Sequence, residues 1–215
     1  MSAELARNLE AMGIRSPRVL DAVARLDRSL FVPPELRRDA DADFPLPIGF
    51  GQTISQPFVV AYMTERLGLL GEERVLEVGT GSGYQTALLA MLARSVHSVE
   101  IIPELAERAK AVLQEQLALG NVSLRVGDGA LGWPAAAPFD RILVSAAGPD
   151  VPPALLQQLA PGGRMILPVG PDPGGQMLRV VDRREDGSVA EVDMLPVRFV
   201  PLTHRGEGHG TTVLG

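Results

Sequence analysis

Arg74-Val75-Leu76-Glu77-Val78-Gly79-Thr80-Gly81-Ser82-Gly83-Tyr84-Gln85 decides the fold of this chain. An apolar strand runs into a turn with glycine at every second position, and the residues behind it open a helix. Glycine takes positive φ without steric cost and lets a ligand come close to the backbone. A helix start adds free N–H groups and the positive end of a dipole. Together they make a holder for a small polar cofactor. A dinucleotide fingerprint would place its third glycine at position 84, which is Tyr84. The spacing here is instead Glu-x-Gly-x-Gly-x-Gly.

Outward from that turn, strands and helices alternate. Strands are expected at Arg74–Val78, Val96–Glu100, Ser123–Val126, Arg141–Ser145 and Arg164–Val169, with helices at Tyr84–Ala93, Pro103–Leu119 and Pro152–Leu159. This alternation predicts an α/β fold, a doubly wound and mostly parallel sheet covered on both faces. Met177–Arg183 and Val189–Val200, joined by Glu185-Asp186-Gly187-Ser188, read as a C-terminal antiparallel hairpin. Ahead of the glycine turn lies a helical extension. Leu5, Leu9 and Met12 fall at helical spacing, and Ser16-Pro17 starts a second helix with Val19, Val23 and Leu26 inward. From Phe31 to Pro57, prolines and glycines exclude long elements, yet Phe44, Leu46, Ile48 and Phe50 demand burial, so an ordered, packed loop is expected. A helix over Pro57–Leu67 follows, with Val59, Val60 and Met63 inward. The whole chain, 1–215, reads as one domain: 1–72 carries the N-terminal helices and the loop, 73–203 the α/β core and hairpin, and 204–215 a glycine-rich tail expected to be mobile.

Composition narrows the function classes. A chain of 215 residues buries roughly 70% of its unfolded surface. The formal net charge of −6 argues against nonspecific nucleic-acid binding, which needs a basic face. Without cysteine there is no disulfide or thiol chemistry, and with three histidines no metal site is expected. Neither a signal peptide nor an apolar run of membrane-spanning length is present, so a cytoplasmic protein is expected.

Three acidic residues end successive strands on one edge of the sheet, where open α/β sheets bind ligands. Glu77 is expensive to bury, so its expected work is to order the glycine turn and face the amino end of the cofactor. Glu100 suits ribose hydroxyls, or is a solvated strand end; Asp128 with the backbone of Gly129 suits an adenine edge, although Gly127-Asp128-Gly129 taken alone reads as a turn. Gln52, Thr53, Ser55 and Gln56 around Ile54 suit an active-site wall, although Ser55 or Gln56 could equally cap the helix at Pro57. His97, inside a strand, reads as packed rather than catalytic.

Two segments together resemble the protein-L-isoaspartate O-methyltransferase family. Pro47-Ile48-Gly49 with Gln52-Thr53-Ile54-Ser55-Gln56-Pro57 is similar to that family's distinctive segment, and Leu76 to Gln85 to its glycine turn. Gly127-Asp128-Gly129, Ala137-Pro138-Phe139-Asp140, Ala146-Ala147 and Phe199-Val200-Pro201-Leu202-Thr203 continue the resemblance in order, and Ile101 departs from it where many relatives carry a basic residue. The resemblance implies a methyltransferase fold and S-adenosylmethionine as cofactor, with S-adenosylhomocysteine as product. The implied substrate is the freed α-carboxylate of isoaspartyl residues in aged proteins and peptides, whose ester collapses to a succinimide. It implies Ser55 as the catalytic residue. Thr53, Gln56, Glu77, Gly79, Thr80, Gly81, Glu100, Asp128, Gly129 and Thr203 would bind the cofactor, and Ile54, Ser55 and Val200 the substrate. A monomer that needs neither nucleic acid nor membrane is expected. A methyltransferase for a small metabolite or RNA, and a noncatalytic cofactor-binding protein on the same fold, are the competing readings.

Overall fold

The structure, a computed structural model, describes residues 2–171 and 174–203. The chain begins with α1 (Ser2–Ala11) and α2 (Pro17–Arg25). The Ser16 hydroxyl accepts from the Val19 amide at 3.4 Å, so the cap and the following proline act as their positions suggest. Leu5, Leu9, Val19, Val23 and Leu26 are buried. Met12 is not: α1 stops at Ala11, and the side chain beyond it is 46% exposed. The segment rich in proline and glycine forms two 3-10 turns, Arg28–Phe31 and Pro34–Asp39, and a short antiparallel pair, β1 (Leu46–Gly49) and β2 (Gln52–Ile54). Alternation along β1 sends Leu46 and Ile48 inward. Phe44 and Phe50 lie outside the strand and stay exposed, contrary to the expectation that all four apolar residues pack. In α3 (Pro57–Leu67), Val60 and Met63 are buried and Val59 only half so.

Seven further strands and three helices complete the fold in the alternating order expected: β3 (Arg74–Val78), α4 (Tyr84–Leu92), β4 (Ser95–Glu100), α5 (Pro103–Lys110), β5 (Val122–Val126), β6 (Phe139–Val144), α6 (Pro153–Gln158), β7 (Leu159–Val169), β8 (Gln176–Arg183) and β9 (Val189–Val197). A π-helical turn over Ala111–Gln116 prolongs α5, so the helix expected as far as Leu119 is shorter and changes pitch. The sheet order is β5-β4-β3-β6-β7-β8-β9, with β5 to β7 parallel and the last two strands antiparallel. One face carries Val75, Val96, Leu143, Ile166 and Leu178 into the core shared with the N-terminal helices. The other carries Leu76, Val78, Val99, Ile142, Val144 and Met165 towards α6 and Trp133. The doubly wound architecture is therefore as expected.

The hairpin differs in its second arm. β9 ends at Val197, not Val200. Beyond it the chain crosses back to the middle of the sheet: the Ala147 amide donates to the Val200 carbonyl and the Leu202 amide to the Ala147 carbonyl, each at 2.8 Å. The fully buried Gln176 holds this return, accepting from the Phe199 amide at 2.7 Å and donating to the Phe199 carbonyl at 3.2 Å. The tail from His204 lies outside the described residues.

α4 is apolar nearly all round because α2 and α3 cover the side away from the sheet. Its entry depends on Gly83, at φ +89°, where an added Cβ would lie 3.2 Å from both Ala109 Cβ and Leu113 Cδ1. Gly83→Ala should cost about 1–3 kcal/mol through crowding and left-handed strain, read as a lower urea midpoint with unchanged slope.

Candidate active site

Strand order reverses beside β3: β4 and β5 lie to one side, β6 and β7 to the other. Open α/β sheets bind ligands outside the carboxyl ends of the strands at such a switch point. There the chain forms an open cleft. Its floor is Val78 to Ser82 after β3, Val99 to Ile102 after β4, Gly129 after β5, and Ser145 and Ala146 after β6. Gly79, at φ +91°, lets the turn pass Ser145, whose Cβ would be 3.5 Å from an added Cβ.

The turn differs from the expectation in one respect. The amides of all three of its glycines are already spent inside the protein. Gly79 donates to the Val99 carbonyl at 2.9 Å, Gly81 to Glu100 Oε2 at 2.8 Å, Gly83 to the Thr80 carbonyl at 2.9 Å, and Tyr84 to Ser82 Oγ at 3.4 Å. Glu100 is 5% exposed and also accepts the Ile102 amide through Oε1 at 3.0 Å. It is the one charged side chain lining the cleft, and no lysine, arginine or histidine lines it among the described residues. A cleft lined by one negative charge and no cation suits a cationic ligand better than a phosphate.

The sequence-predicted residues divide. Thr53, Ile54, Ser55, Gly79, Thr80, Gly81, Glu100, Gly129, Val200 and Thr203 all line the cleft. Glu77, Gln56 and Asp128 do not. Strand alternation points Glu77 towards α4, where its Oε2 accepts from Thr86 Oγ1 at 2.5 Å and from Ser98 Oγ at 2.6 Å. With the Ser98 proton so committed, Thr80 Oγ1 donates to Ser98 Oγ at 2.6 Å. Glu77 therefore orders the glycine turn from beneath, through hydroxyls, and does not face the cleft. Its Oε1 has no hydrogen-bond partner, and burial pushes its carboxyl up to about 8 against the opposing bonds from Ser98 and Thr86. The Gln56 amide is taken by Asp43 Oδ2 at 2.7 Å. Asp128 caps the short turn Gly129–Leu131, accepting the Ala130 amide at 2.9 Å, while Gly129 reaches the cleft. An added Cβ at Gly129 would meet Val78 Cγ1 at 2.3 Å, so this close passage admits only glycine. His97 packs edge-on against Trp133 and Phe139, as its place in a strand suggests.

Two arms close over this floor. One is the β1–β2 pair with Ser55. The other is the return strand over Val200 to Thr203. The supports of these arms, Arg28, Asp43 and Gln176, and Ser98 beneath the floor escape sequence reading, and the one available signal is an arginine set among Leu26, Leu30 and Phe31.

A switch-point cleft on a parallel sheet closed by an antiparallel hairpin is the architecture of an α/β methyltransferase. Sequence comparison narrows it. The profile of the protein-L-isoaspartate(D-aspartate) O-methyltransferase (PCMT) family matches residues 1–207, and the chain belongs to that family. It is 70% identical over 204 residues to a protein-L-isoaspartate O-methyltransferase of Anaeromyxobacter dehalogenans (strain 2CP-C), covering 95% of this chain and 98% of the relative. Among solved structures it resembles a protein-L-isoaspartate O-methyltransferase at 29% identity and TM-score 0.84, over 94% of this chain and 65% of that one. It also shares its fold with a Plasmodium falciparum protein solved in complex with S-adenosyl-L-homocysteine, at 24% identity and TM-score 0.82, over 94% of this chain and 98% of that one.

The Glu77 carboxyl titrates near 8 when folded, against an ordinary 4.5. Between those values the folded protein holds a proton that the unfolded chain has lost, so stability falls as pH rises through the interval. Glu77→Gln removes this dependence. From about pH 5 to about pH 8 the variant should gain on the wild type by up to about 1.4 kcal/mol per unit, measured as urea-unfolding free energies. A constant difference would mean that the folded carboxyl is ionised throughout.

Proposed function

We propose that this chain transfers a methyl group from S-adenosylmethionine to the free α-carboxylate of L-isoaspartyl residues in damaged proteins and peptides. The observation that carries the reading is a single cleft in which Glu100 and the glycine turn face Ser55 and the return strand. S-adenosylmethionine, when bound, supplies an electrophilic methyl on a positively charged sulfur. The residues present fit it: Glu100 offers the negative charge, while Thr80, Gly129 and Thr203 line the remaining wall.

The acceptor needs no activation. A carboxylate has a reference pKa of about 4 and is already ionised at neutral pH, so no general base is required. What remains is orientation, with reacting atoms about 3–3.5 Å apart and water excluded. The Ser55 hydroxyl makes no hydrogen bond among the described residues and lines the cleft, which leaves it to donate to the incoming carboxylate. Ile54 and Val200 supply apolar walls to the isoaspartyl residue. In the same reading the protein works as a single-domain monomer in the cytoplasm, on proteins and peptides and apart from nucleic acid and membranes. The net charge of −6 supports the nucleic-acid part, and among the described residues no helix is long and apolar enough to cross a membrane.

Labelled S-adenosylmethionine should transfer methyl to an isoaspartyl peptide and not to its aspartyl twin; equal labelling of both would sink the assignment. Ser55→Ala should lower kcat about 10- to 100-fold while calorimetry finds S-adenosylhomocysteine affinity within about twofold of the wild type. Loss of that affinity would make Ser55 a structural residue.

A further inference from the structure

Ser55 stands where the regular structure stops. The β1–β2 ladder ends at Ile54, α3 begins at Pro57, and Gln56 makes no side-chain cap for that helix. Nothing within the segment fixes Ser55 against the glycine turn. The contact that does comes from Arg28, which is 0% exposed and lies behind the cleft wall. Its Nη2 donates to the Ser55 carbonyl at 3.1 Å and its Nε to the Ala40 carbonyl at 2.6 Å. Its guanidinium carbon sits 5.0 Å from the ring centroid of Tyr84, the first residue of α4, immediately behind Gly83. One rigid, planar group thus spans from the acceptor-side loop to the residue that ends the glycine turn. From the other side, Asp43 accepts the Phe58 amide at 2.8 Å and the Gln56 side-chain amide at 2.7 Å.

Packing alone does not account for an arginine here. Among the described residues no carboxylate pairs with it at ion-pair distance, and Nη1 is buried without a hydrogen-bond partner. Burying a guanidinium is costly, and an apolar side chain of similar volume often serves stability as well or better. What an apolar replacement cannot do is hold two carbonyls at a fixed distance from an aromatic face. Lysine cannot do so with a fork either.

We propose that Arg28 is a positioning residue for methyl transfer, setting the separation of Ser55 from the glycine turn by tying the Ser55 carbonyl to the Tyr84 ring. The proposal rests on the function assigned above. It concerns alignment and not cofactor affinity, because Arg28 does not line the cleft.

The test compares Arg28→Lys and Arg28→Met with the wild type, measuring kcat and KM on an isoaspartyl peptide and S-adenosylhomocysteine affinity by calorimetry. Both variants should bind S-adenosylhomocysteine within about threefold of the wild type. The kcat should fall about 10- to 100-fold in Arg28→Met, with partial rescue in Arg28→Lys, since a displacement of about 1 Å suffices for such losses. Unchanged kcat in either folded variant overturns the proposal, as does a parallel fall in kcat and affinity, which a merely structural role would give. Should Arg28→Met fail to fold, the split between kcat and affinity in Arg28→Lys decides alone. A wild type inactive on the isoaspartyl peptide would remove the assigned function and this proposal together; an active wild type with unaffected variants would remove only the role of Arg28.

Discussion

The turn between β3 and α4 spends its hydrogen bonds on its own sheet, and the chemistry of the cleft follows from that. Gly79 is bonded to the end of β4 and Gly81 to the Glu100 carboxylate, and Gly83 closes back on Thr80. A glycine turn with free amides would attract phosphate; this one leaves a carboxylate and bare backbone as its outward features. The same bonds bring the ends of β3 and β4 together, so the negative charge sits beside the turn and not out in solvent. Glu77 reinforces this arrangement from below through Thr86, Ser98 and Thr80. A buried carboxyl that carries its proton can do this without a counter-charge, which accounts for an acidic residue inside a strand with no cation beside it.

The second half of the site is held by polar groups buried outside the cleft. Arg28 and Asp43 hold the segment around Ser55, and Gln176 holds Phe199 ahead of the return strand. Arg28 and Gln176 bond main-chain groups that have left regular structure, and Asp43 takes the free Phe58 amide in the first turn of α3 together with the Gln56 side chain. Buried hydrogen bonds of this kind favour one loop geometry over its neighbours, because a displaced carbonyl or amide finds no water in which to recover. Methyl transfer to an already ionised carboxylate asks for alignment above all, so a site that spends its buried polar groups on holding loops matches the task.

Sequence reading found the floor of this site more completely than its supports. The glycine turn, Glu100 and Gly129 are legible because strand, spacing and turn are local. Thr53 to Ser55, Val200 and Thr203 came from resemblance, and the cleft brings them together. Three residues expected at the cofactor do not line the cleft, for one shared reason. Glu77 looked like a ligand because burying a carboxylate is costly, but the hydroxyls that receive it lie 9 and 21 positions away in sequence. Asp128 and Gln56 have partners of their own, on Ala130 and Asp43. Helical spacing grouped Met12 with Leu5 and Leu9, and apolar character sent Phe50 inward; neither signal says where a helix or strand ends, and both side chains are exposed.

By itself the sequence determined the class: periodicity set a parallel α/β sheet with a hairpin at its end, and one turn marked the edge where the cleft lies. Those are local properties, written in residues next to one another. Only the tertiary structure decided which acidic side chain faces the cleft, and that the chain leaves β9 at Val197 to lie across Ala147. It alone set Arg28 behind Ser55. The reason is physical. Side-chain direction and loop position depend on hydrogen bonds between segments far apart in the chain, and neither spacing nor propensity encodes those partners.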